Sequence, residues 1–81
     1  MKANVYVTLK RSVLDPQGKV IQQALSRLGY SEVKDVRQGK YFELELETLE
    51  RRKAAAQLEE MCKRLLANTV IEEYRYELID E

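Results

Sequence analysis

A chain of 81 residues with 14 Lys plus Arg and 14 Asp plus Glu carries no formal net charge. It therefore lacks the long-range field that draws a protein to nucleic acid or to an anionic membrane. With no histidine and one cysteine, a Ser-His-Asp or Cys-His pair, a histidine acid or base, an internal disulfide and a histidine metal site are excluded.

The expected organisation is a single domain over residues 1–81. Ala3, Val5, Val7 and Leu9 alternate with Asn4, Tyr6 and Thr8, the period-two signature of a strand with one buried face. After the loop at 10–14, Asp15 followed by Pro16 reads as an N-cap with proline in the first helical position, where its missing N–H costs nothing. Val20, Ile21, Ala24, Leu25 and Leu28 fall on one helical face, and Gly29 supplies the left-handed residue that ends the helix. Val13 or Leu14 is placed to staple onto Val20 or Ile21, or else to present the helix N-terminus to a partner.

Residues 33–37 read as a short strand, turning through Gln38-Gly39 into a second strand at 40–47. There Phe42, Leu44 and Leu46 point one way and Tyr41, Glu43, Glu45 and Glu47 the other. A second helix is expected over 50–67, capped by Thr48, with Ala54, Ala55, Leu58, Met61, Cys62, Leu65 and Leu66 as its buried stripe and Asn68 ending it in the left-handed conformation. The last strand, 70–79, puts Tyr74, Tyr76 and Leu78 on one face and Glu73, Arg75 and Glu77 on the other. The order is βαββαβ, an α+β ferredoxin-like sandwich: an antiparallel sheet with two helices on one face.

The other face of that sheet needs cover, and a domain this small buries only about 60% of the surface its unfolded chain exposes. The expectation is a dimer or tetramer formed through the open face or an edge, with Tyr6, Tyr41, Tyr74 and Tyr76 as the candidate oligomer contacts.

Groups that could carry chemistry have plainer roles. Cys62 lies on the apolar stripe beside Met61, where a thiol is an inert small hydrophobe. Glu43, Glu45 and Glu47 could collect a hard cation, but clustered charges on a solvated strand face are the ordinary case. Lys10, Arg11, Arg37 and Lys40 flank the strand ends, and neither a GxGxxG nor a GxxxxGK[ST] spacing is present. No catalytic, cofactor-binding or metal-binding residue is expected in this chain. The first residues run directly into the strand pattern, so no signal peptide is expected. No apolar run reaches the roughly 20 residues of a membrane span, and a reducing cytoplasm is the expected setting.

Five segments together carry a resemblance: VYVTLK at 5–10, VLDPQG at 13–18, DVRQGKY at 35–41, MCKRLLANTVIE at 61–72 and YRYE at 74–77. In these, and in their order, the chain resembles the PurS family, the small subunit of phosphoribosylformylglycinamidine synthase. The resemblance implies a non-catalytic subunit in de novo purine biosynthesis. It would bridge a glutaminase subunit and an ATP-dependent synthetase subunit and assist transfer of ammonia between them, ATP and magnesium belonging to the synthetase. Carried onto this chain, the implied partner contacts are Asp15, Gln17 and Gly18, then Arg37, Gly39 and Lys40, then Asn68, Thr69 and Glu72. Three other classes remain open from the residues alone. They are a free-standing small-molecule-binding regulatory dimer, a sheet-surface RNA reader that the glutamates disfavour, and an enzyme acting alone.

Overall fold

The computed structural model describes residues 1–47 and 50–80. The alternating N-terminal segment forms the central strand, β1 (Lys2–Leu9), with Ala3, Val5 and Val7 fully buried. Two antiparallel neighbours flank it: β2 (Gly39–Glu45) and β3 (Glu72–Ile79), in the order β2-β1-β3. Val5 lies opposite Phe42 on one side and Tyr76 on the other. Because side chains alternate with period two, this register puts Phe42, Leu44, Tyr74, Tyr76 and Leu78 on the same face as the buried β1 residues.

Helix α1 (Pro16–Arg27) begins and ends as the sequence predicts. The Gly18 N–H donates to Asp15 Oδ1 at 3.0 Å, closing the N-cap. At the other end Gly29 takes φ 103°. Its N–H donates to Ser26 O and that of Tyr30 to Leu25 O, the paired Schellman arrangement that satisfies the last carbonyls.

Helix α2 (Arg51–Met61) starts from Glu50 and runs into a single π-helical turn, Cys62–Leu66. Thr48, the expected cap, lies outside the described residues. Ala54, Leu58 and Cys62 are buried. Leu58 and Cys62 join Ala3, Val5, Val7 and Ala67 in one core cluster against the sheet.

The class is the expected α+β ferredoxin-like fold, with four local differences. Residues 33–37 form no strand, because side chains hold that segment. The Gln22 amide donates to Val33 O, and the Arg37 guanidinium donates to Lys10 O and Val13 O. The sheet therefore has three strands and no 38–39 hairpin turn. Asn68 does not adopt the left-handed conformation, since no described non-glycine residue has positive φ. Instead its side-chain oxygen accepts the Val70 N–H in a local turn.

The π turn accounts for the third difference. Its wide hydrogen bond from Ala67 N–H to Cys62 O shifts the phase of the stripe, and Leu65, expected inside, is 83% exposed. The fourth concerns α1, whose apolar stripe makes no substantial contact with the sheet or α2. Val20 is 61% and Leu28 73% exposed.

Candidate docking surfaces

The carboxyl end of β1 and the starts of α1, β2 and β3 converge on one end of the sheet, and most of the sequence-predicted contact residues meet there. Asp15, buried, is the knot. Its Oδ2 accepts the Gln38 N–H at 2.8 Å while Oδ1 accepts that of Gly18 at 3.0 Å. These two amides, Gln38 first, hold its carboxyl below the usual carboxylate range. Gly18 must be a glycine, since a Cβ there would stand 2.1 Å from Val36 O.

Across from this knot, Glu72 accepts the Asn68 N–H at 2.7 Å and pairs with the Lys40 ammonium at 3.2 Å. The Asn68 amide, then Lys40, lowers its pKa. Between the two carboxylates lies a cleft of about 290 Å³ lined by Val7, Leu9, Asp15, Gln17, Gln38, Gly39, Lys40 and Glu72. Asp15, Gln17, Gly39, Lys40 and Glu72 thus share one cleft, with Gly18 buried behind it and Asn68 and Thr69 exposed in the turn leading into β3.

Arg37 is placed differently. Its guanidinium is spent on two backbone carbonyls of the 10–14 loop, 3.0 and 2.9 Å away, and fixes that loop. Apolar side chains are exposed in the segments that lead to this end: Leu14, in the stretch read as a staple or a partner surface, is 70% exposed, Leu65 83% and Val70 79%. Of these, Leu65 was expected in the buried stripe of the second helix. The phase shift of the π turn is what brings Leu65 out.

The open sheet face is a second surface. The Tyr6 and Tyr41 rings meet at 5.2 Å with a 36° tilt, and the Arg75 guanidinium carbon sits 3.9 Å from the Tyr6 ring centroid. Tyr6 donates to Glu77 at 2.6 Å and Tyr41 to Glu43 at 2.9 Å. The carboxylate beside each phenol raises its pKa, for Tyr41 to about 12.

Tyr74 and Tyr76 lie on the opposite, helix-covered face, where Tyr74 donates to Glu59 at 2.7 Å and is pushed to about 12. The four tyrosines therefore belong to two faces and cannot form one contact. Cys62 is buried between the helix and the sheet, and burial, then Glu59, pushes its thiol up, away from the thiolate a nucleophile needs. Among the described residues no group of three His, Cys, Asp or Glu side chains could hold a metal ion.

Such a molecule, a small ferredoxin-like domain whose polar groups tie loops together around a cleft, with exposed apolar side chains in the adjoining segments, has the features of a docking subunit. The family model for PurS, phosphoribosylformylglycinamidine (FGAM) synthase, matches residues 2–80. The chain is 57% identical over 77 residues to phosphoribosylformylglycinamidine synthase subunit PurS of Bacillus subtilis, covering 95% of this chain and 90% of the relative. It is 45% identical to the PurS subunit of Methanocaldococcus jannaschii, over 90% and 88%.

Among solved structures it matches a B. subtilis PurS crystal form with TM-score 0.84 and 58% identity, covering 94% of each chain. It also matches a chain in the structure of PurLQS from Thermotoga maritima with TM-score 0.86 and 34% identity, covering 94% and 93%. The chain belongs to the PurS family, the small subunit of phosphoribosylformylglycinamidine synthase in purine biosynthesis.

Proposed function

We propose that this chain is the non-catalytic subunit that holds a glutaminase and an ATP-dependent synthetase together, and that it shelters ammonia passing between them in the cytoplasm. The observation that carries the proposal is the convergence of Asp15, Gln17, Gly39, Lys40 and Glu72 on one cleft beside exposed Leu14, Leu65 and Val70. Exposed apolar side chains near oriented polar groups have the composition of a protein interface. The matched chain in PurLQS of T. maritima is consistent with a partner of this kind.

The division of labour follows from the chemistry available. Glutamine hydrolysis releases ammonia in one subunit, and the synthetase uses ATP to activate an amide oxygen that ammonia displaces in the other. ATP and magnesium act there. This chain contributes geometry: subunits held in fixed register give ammonia a short enclosed path, so that it meets the activated intermediate before it protonates or diffuses away.

Within the cleft, Gln17 and Lys40 offer exposed donors, Asn68 and Thr69 lie at the turn, and Asp15, Gly18, Arg37, Gly39 and Glu72 hold the loops in the shape a partner meets. Tyr6 and Tyr41 on the open face, and Tyr74 and Tyr76 on the covered face, are the corresponding self-association candidates. Mixing the three purified subunits tests the proposal. Glutamine-dependent amidation should fall sharply when this chain is omitted, while ammonia-dependent amidation by the synthetase should fall far less. Equal glutamine-dependent rates with and without the chain would overturn it.

A further inference from the structure

We infer that the cavity between α1 and the 33–37 segment is a binding site for a phosphate group. The cavity measures about 220 Å³ and is lined by Lys19 and Gln22 of α1 and by Lys34, Asp35 and Arg37 of the facing segment. It shares only Asp15 with the cleft described above. The inference therefore stands apart from the docking role.

The walls of this cavity are already held. The Gln22 amide donates to Val33 O at 3.1 Å, and the Gln38 N–H donates to Asp15 Oδ2 at 2.8 Å, so both ends of the segment are tied to α1 and its cap. Arg37 ties it to the 10–14 loop. A ligand entering such a place spends little free energy on ordering what surrounds it.

The groups left unspent around the cavity are donors. The Lys19 ammonium has no hydrogen-bond or ion-pair partner among the described residues. Lys34 makes one bond, to Ser31 O at 3.1 Å. Arg37 bonds through Nη2 alone and to neutral carbonyls, which leaves the donors on Nε and Nη1 and its charge without an ion pair. Both carboxylates, in contrast, are engaged: Asp15 by the Gly18 and Gln38 amides, Asp35 by Arg11 at 3.8 Å.

Charge and size then select the ligand. Three cations against two carboxylates leave one positive charge in the lining, and Arg11 beside Asp35 adds a second. A phosphate group carries about −1.5 to −2 at neutral pH and neutralises that excess, whereas a carboxylate leaves half of it. Ammonium and guanidinium donors are the usual company of phosphate oxygens. At about 30 Å³ per water, the cavity has room for the phosphate oxygens and a few bridging waters. It falls below the roughly 300–1,000 Å³ of pockets that enclose a drug-sized molecule, so the phosphate group itself is what it reads.

The test titrates the full chain with inorganic phosphate while its backbone amides are followed by nuclear magnetic resonance. Saturable shifts should centre on Lys19, Gln22 and residues 34–37. Lys19→Gln and Lys34→Gln, both exposed in the structure, should keep the wild-type melting temperature and each raise the dissociation constant about tenfold, the effect of losing one charge-assisted bond. Methyl phosphate separates the two sources of the group. Binding equal to that of inorganic phosphate supports a site for a phosphate ester, and binding at least tenfold weaker supports a site for the free ion. Shifts that sodium chloride reproduces at equal ionic strength would overturn the inference, as would shifts spread over lysines elsewhere or a constant unchanged in both variants.

Discussion

Asp15 shows how much one side chain carries here. Its two oxygens accept the amides of Gly18 and Gln38 and so join the start of α1 to the start of β2. Asp15→Ala should lower the melting temperature by about 5 °C, the effect of losing one helix cap in a domain this size. The folded-state pKa is depressed. The stabilisation is therefore present above the unfolded value of about 3.9 and lost as pH falls through the folded one. Asp15→Asn should flatten that part of the acid limb of stability against pH.

Gly18→Ala should cost about 2 kcal/mol by crowding, although alanine usually improves a helix, because Val36 O fills the space a Cβ needs. The tyrosines act at the alkaline end. Tyr41 and Tyr74 are held protonated to about 12 by Glu43 and Glu59. Their contribution is complete below the usual phenol value of about 10 and disappears as pH rises through 12. In an ultraviolet titration Glu59→Gln should bring Tyr74, and with it Tyr76, to lower pH and leave Tyr41 unchanged.

At the scale of elements, Leu58 is fully buried between α2 and β1 in a core of few large side chains. Leu58→Ala should lose about 3 kcal/mol in denaturant unfolding, a large share of what a domain this size has. Most element types were legible because their signals are local. Asp15-Pro16 and Gly29 bracket α1 by backbone chemistry alone, and the alternation in β1, β2 and β3 survives in the registered sheet.

Residues 33–37 were expected as a strand, paired through a Gln38-Gly39 turn with the strand that follows. What decides their conformation is long-range: Arg37 reaching Lys10 O and Val13 O, and Gln22 reaching Val33 O. The π turn was equally hidden, since the heptad-like pattern of helix two continues through Leu65 while the backbone does not. The stripe on α1 announced burial and was silent on what would bury it.

At the scale of the whole molecule, the candidate site was half legible. The contact residues taken from family motifs converge on one end of the sheet. Their partition into groups facing the cleft and groups tying its walls required the hydrogen bonds. Arg37 belongs among the latter, and the exposure of Leu65 emerged only from the fold, whereas Leu14 was already offered by the sequence as a staple or a partner surface.

The most direct measurement is sedimentation velocity of the glutaminase and synthetase subunits with this chain, without it, and with a Leu65→Asp, Val70→Asp variant. Both substituted side chains are exposed, so the variant should keep the wild-type melting temperature. The account predicts one three-component boundary with the wild-type chain and its loss in the other two mixtures. Glutaminase and synthetase that sediment together equally well in all three would contradict it.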